Sequence, residues 1–87
     1  MDEAWRNSFR EKLEQHYQWP ALYTFKFIVP QHKAEEVKKL FPTRTPEEKS
    51  SSQGNYISFT FSMMMPSSDA VIEVYQKATA IEGLIAL

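Results

Sequence analysis

Residues 56–65 alternate without interruption between two kinds of side chain, and this alternation limits the possible folds more than any other feature of the chain. Ile57, Phe59, Phe61, Met63 and Met65 fall on one face of an extended strand. Tyr56, Ser58, Thr60, Ser62 and Met64 fall on the other, which is rich in hydroxyls. A strand with one apolar and one polar face belongs to an antiparallel sheet covered on one side only. The apolar face must be roofed by another layer, because it cannot be left in water. Pro66 ends the strand.

The rest of the chain supplies that layer and the neighbouring strands. Residues 22–29 predict a second long strand, with Tyr23, Phe25, Phe27 and Val29 toward the core and Leu22, Thr24, Lys26 and Ile28 on a half-exposed face. Residues 32–41 predict a helix with Ala34, Val37, Leu40 and Phe41 buried. Glu35 and Glu36 near its start and Lys38 and Lys39 near its end suit the helix dipole. After Pro66, Ser67 or Ser68 caps a further helix with Asp69 in its first turn. Its stripe is Ala70, Val71, Val74, Tyr75, Ala78 and Ile81, and Gly83 is placed at its C′ position. Residues 47–52, charged and preceded by Pro46, predict an edge strand leading into a Gly54-Asn55 turn. Residues 84–87 are apolar throughout and predict an interior strand buried on one face. The order is β-α-β-β-α-β, an α+β ferredoxin-like two-layer sandwich with two helices on one face of a four-stranded antiparallel sheet.

Residues 19–87 make up this domain, and residues 1–18 are an amphipathic helical extension. Trp5, Phe9, Leu13 and Tyr17 recur every fourth residue, which predicts a helix over 2–17 with one narrow apolar stripe. Trp19-Pro20 stops it. These four residues are the candidate interaction surface, expected to dock late or onto a partner.

Composition narrows the classes of function. A chain of 87 residues buries only roughly 60–65% of its unfolded surface, and without cysteine it has no disulfide to compensate. The core rests on a 43% hydrophobic share, 14% of the chain being aromatic, and homo-oligomerisation would supplement it. Net charge is −1, from 10 basic and 11 acidic residues, so nucleic acid and anionic membranes are not expected partners. No apolar run approaches the roughly 20 residues that span a bilayer, and residues 1–5 lack the character of a secretion signal. A cytoplasmic location is the expectation.

Catalytic and metal chemistry find no constellation here. His16 and His32 are the only histidines, too few for a metal site without cysteine. Glu35 and Glu36 diverge on a helix, and Glu47 and Glu48 point to opposite faces of a strand, so neither pair can share a substrate. Alternation buries Met63 and Met65, leaving only Met64 outside. RNA-binding domains of this topology stack bases on aromatics of the open sheet face, where this chain offers Tyr56 alone. Ser51, Ser52, Gly54 and Asn55 are candidate ligand contacts, since a turn of this kind presents hydroxyls and backbone N–H groups.

The run Ser51-Ser52-Gln53-Gly54-Asn55-Tyr56, followed by an alternating strand, resembles the hairpin of the YbeD-like family, small bacterial proteins of unknown function. Trp19-Pro20 followed by Tyr23-Thr24-Phe25-Lys26 is similar to that family's proline and aromatic-rich first strand. The resemblance covers residues 19–87. It implies the ferredoxin-like fold and a shape similar to ACT-type regulatory domains, which bind amino acids. Those domains place a glycine between the first strand and first helix, where this chain has Val29-Pro30-Gln31-His32. The expected function is a non-enzymatic interaction or regulatory module without a cofactor, acting as a homodimer or with another protein. An ACT-like sensor of a small metabolite is the alternative, and a weak RNA-binding module the second.

Overall fold

The computed structural model describes residues 2–51 and 53–87. Its elements are α1 (Glu3–His16), β1 (Ala21–Pro30), a 3-10 turn (Gln31–Lys33), α2 (Ala34–Lys38), β2 (Glu47–Ser50), β3 (Tyr56–Met65), α3 (Ser68–Thr79) and β4 (Ile85–Ala86). The strands form one antiparallel sheet in the order β2-β3-β1-β4. This is the ferredoxin-like arrangement, with α1 added before it.

β1 and β3 pair over their whole lengths, from Ala21 opposite Met65 to Pro30 opposite Tyr56. The register brings the two alternating patterns into phase. Phe25 faces Phe61, Phe27 faces Phe59 and Val29 faces Ile57, and all six are buried. A slip of one residue would turn the whole set into water. Val37 of α2 and Val71, Ile72, Tyr75 and Ala78 of α3 close over this layer. The Tyr75 ring lies 5.4 Å from Phe25 and 5.9 Å from Phe27. Each buried Phe contributes about 1.5–3 kcal/mol by leaving water. An exposed ion pair such as Lys38–Glu48, at 3.8 Å, contributes about 0–1 kcal/mol. The aromatic layer, not surface charge, holds the fold.

α1 packs on its own domain. Asp2 Oδ1 caps the helix by accepting the Trp5 N–H at 2.8 Å. Leu13 is buried in the common core, the Phe9 ring lies 5.3 Å from Tyr75, and the Tyr17 ring lies 5.4 Å from Tyr23. Arg10 Nη2 meets Asp69 Oδ1 of α3 at 2.7 Å. This contact widens the buried side of α3, so Ser68 and Ile72, which lie outside the stripe expected from its own periodicity, are buried as well.

Three elements differ from expectation. The helix expected over 32–41 is a 3-10 turn followed by one short α segment. No side chain caps its start, and Leu40 and Phe41 turn the chain through bonds to Val37 O and Lys38 O. α3 ends at Thr79, whose hydroxyl bonds Tyr75 O at 2.9 Å, so Gly83 serves a later turn and not the helix C′ position. β4 is not interior: it is a two-residue edge strand beside β1, and Ile85 is 53% exposed. An apolar run states that a segment can be buried, whereas its place at the rim is set by the lane left open beside β1.

The two glycines make a testable contrast. Both have left-handed φ, +74° at Gly54 and +81° at Gly83. A Cβ at Gly54 would meet nothing within 4 Å, but at Gly83 it would come within 2.9 Å of Pro30 Cγ. Gly54→Ala should therefore cost only the backbone strain, about 1 kcal/mol. Gly83→Ala should cost about 2 kcal/mol or more, with Tm falling about 4–8 °C per kcal/mol. Equal losses in thermal melts would refute the close packing of Gly83 on Pro30.

Candidate functional site

With the helices all on one side, the opposite face of the sheet is left to solvent. Leu22, Thr24, Lys26 and Ile28 of β1 lie there, beside Met64, Ser62, Thr60 and Ser58 of β3 in register. Glu47 and Lys49 of β2 flank Thr60 and Ser58, and Ile85 of β4 pairs with Ile28. The centre is polar, with Thr24 Oγ1 and Ser62 Oγ 2.9 Å apart. The ends are apolar: Leu22 with Met64 at one, and Tyr56, Ile28, Ile85 and Leu87 toward the other.

Two shallow cavities open on this face. One, of about 210 Å³, lies between Ile28, Tyr56 and Ile57 and the β2–β3 hairpin at Lys49, Ser50 and Ser51. Its neighbour, of about 290 Å³, is more polar and is lined by Lys26, Glu47, Glu48, Lys49, Ser58 and Thr60. A third, of about 350 Å³, lies between α1 and α3 at Arg6, Arg10, Asp69, Ile72, Glu73 and Gln76.

The hairpin candidates take mainly structural contacts. The Ser51 N–H donates to Tyr56 O at 2.9 Å, its hydroxyl oxygen accepts the Tyr56 N–H at 3.2 Å, and its carbonyl accepts the Gly54 N–H at 3.0 Å. Asn55 O accepts the Gln31 N–H at 3.0 Å, tying the hairpin to the end of β1. Of the described candidates, Ser51 lines the cavity of about 210 Å³. Ser52 lies outside the described residues. Of the helical stripe, Leu13 is buried and Phe9 and Tyr17 pack partly buried against the core, whereas Trp5 remains 38% exposed. The stripe is thus spent largely on the domain itself.

Sequence reading missed the contact that anchors α1. The Glu14 carboxylate accepts hydrogen bonds from the Ser68 hydroxyl at the start of α3 and from Trp19 Nε1–H, the latter at 2.6 Å. No spacing rule could join Glu14 to Ser68, far apart in sequence. The Ser68 bond first, and the Trp19 bond second, hold the Glu14 carboxyl below its ordinary value of 4.5. Within the core, burial raises the Tyr75 hydroxyl well above the ordinary tyrosine value, and the Tyr23 hydroxyl 3.0 Å away adds to the effect. Among the described residues no three His, Asp or Glu side chains converge as metal ligands would. No described helix is long and apolar enough to cross a membrane.

Fold and surface together define a small ferredoxin-like domain with an added N-terminal helix and one uncovered sheet face. The chain belongs to the DUF493 family, described as a protein of unknown function, whose model matches residues 14–87. This is the YbeD family, so the resemblance read from the hairpin and first strand holds, and the match begins inside α1 at the anchoring Glu14. No curated protein and no solved structure matches the chain.

A carboxyl held low in the fold adds stability above its unfolded value and loses it as pH falls through its folded value. Acidification from 4.5 downward should therefore loosen α1 from α3, read by fluorescence of Trp19, whose indole bonds Glu14. Glu14→Gln should remove most of that acid-dependent change. Identical pH profiles for the two proteins would show that these bonds do not hold the helix.

Proposed function

We propose that this domain is a non-enzymatic, cytoplasmic interaction or regulatory module that engages a protein partner through the helix-free face of its sheet. The observation that carries this reading is the apolar end of that face, where Tyr56 and Ile85 stand exposed beside the shallow cavity at Ile28. Exposed aromatic and aliphatic side chains around a small depression, rimmed by Lys49 and Ser51, have the composition of a binding surface. The charges nearby are of both signs, Lys26 and Lys49 with Glu47, which favours a protein over a polyanion.

A metabolite sensor of ACT shape would hold its ligand where β1 turns toward α2. In this chain Gly83 packs against Pro30 at that turn, and the Gln31 N–H is engaged by Asn55 O. The backbone N–H that a ligand would seek at Gln31 is already engaged within the chain, which supports the protein-partner reading. An RNA module would need more stacking aromatics than Tyr56.

The test is capture of a partner by the tagged protein, compared with Tyr56→Lys and Ile85→Lys. Both positions are exposed, so each variant should keep its melting behaviour within about 0.5 kcal/mol of the parent. Loss of the same partner from both variants is the expected result. A partner retained by both would remove the open face from the reading. A saturable thermal shift with a free amino acid would favour the sensor instead.

A further inference from the structure

We propose that two copies of this chain pair through the open edge of β1, joining their sheets into one. The edge follows from a mismatch in strand length. β3 pairs with all of β1, but on the other side β4 pairs only with Phe27 and Ile28, extended by a 2.9 Å bond from the Leu87 N–H to Lys26 O. Along residues 21–25 that side of β1 has no backbone partner among the described residues. Backbone groups alternate sides along a strand, and Lys26 directs its carbonyl into the lane of β4. The N–H and C=O groups of Leu22 and Thr24 therefore point into the same empty lane.

The two rims of the sheet are treated differently. β2, the opposite edge, carries Glu47, Glu48 and Lys49, charges of the kind that keep an edge from mispairing. Residues 21–25 are Ala-Leu-Tyr-Thr-Phe, with no charge and no proline. Leu22 is 61% exposed there, next to Met64 at 58%. One edge is guarded and the other is built to pair.

The occupant is a second copy because the edge complements itself. A two-fold axis at Tyr23 sets each Leu22 opposite the other copy's Thr24, and the four N–H and four C=O groups of these residues find partners. The two uncharged segments meet with no like-charge penalty, despite the net charge of −1. The available length also fits. Residue 21 of one copy comes opposite residue 25 of the other, and the next place, opposite Lys26, is already taken by Leu87. There the pairing segment stops at Pro20, which has no N–H to offer. The contact is narrow, so the dimer is one that dilution separates. It would set the two open faces side by side, yet it depends on backbone at the edge and not on the face residues of the preceding section.

Sedimentation velocity of the full chain, from micromolar to millimolar concentration, tests it. The expected result is a concentration-dependent mass reaching that of two chains. Leu22→Lys places a charge on the edge, and Thr24→Pro deletes an N–H that serves only the empty lane. Each should raise the dimer dissociation constant about tenfold or more, with far-UV circular dichroism unchanged; if Thr24→Pro fails to fold, Leu22→Lys decides. A monomer throughout the range overturns the proposal. So does a dimer that resists Leu22→Lys, or one that Tyr56→Lys dissociates and Leu22→Lys does not, since the copies would then meet face to face. Tyr56→Lys that dimerises normally but loses its protein partner would leave this edge standing apart from the face.

Discussion

The full-length ladder between β1 and β3 is the constraint on which the rest of the molecule depends. Ten residues on each strand are held in a register that sends Tyr23 and all four phenylalanines to one side and most hydroxyls, with Tyr56, to the other. Once that is set, α2 and α3 can lie only over the aromatic side, and Tyr75 becomes the hub where rings from β1 and α1 meet. The same register leaves the opposite face bare. The stability of the fold and its bare sheet face thus trace to one pairing.

The N-terminal helix shows how a narrow stripe is made sufficient. Leu13 alone is fully buried, and burial of a single Leu is a small return for ordering fourteen residues. The helix adds aromatic contacts at Phe9 and Tyr17, the Arg10–Asp69 pair, and the Glu14 carboxylate shared by Ser68 and Trp19. Phe9, Arg10 and Glu14 reach α3, and Tyr17 reaches β1, so the helix is fastened at several points instead of relying on a deep core. That packing leaves Trp5 as the exposed member of the stripe.

Among the described residues a number of polar groups serve structure. Serines and threonines cap helices, close the hairpin or pair across the open face, and the acidic residues bind helix partners or stand in solvent. What the surface offers is shape, exposed apolar residues and backbone edge.

Periodicity was enough to read the two long strands, the core phenylalanines, α3 and the order of elements, because alternation and helical spacing are local and need no knowledge of the partner element. The hairpin motif was likewise legible, since Gly54 answers a local demand for positive φ. Where an element sits was not: β4 and an interior strand have the same apolar composition, and only the pairing of Ile85 with Ile28 assigns it to the rim. Burial of Ile72 and Ser68 depends on α1 crossing α3, and the Glu14–Ser68 bond depends on both helices being placed first. The sequence by itself determined which faces must leave water, because that is a property of each segment. The tertiary structure decided which segment covers which, and which backbone edge stays unpaired, because those follow from strand lengths and contacts between residues far apart in the chain.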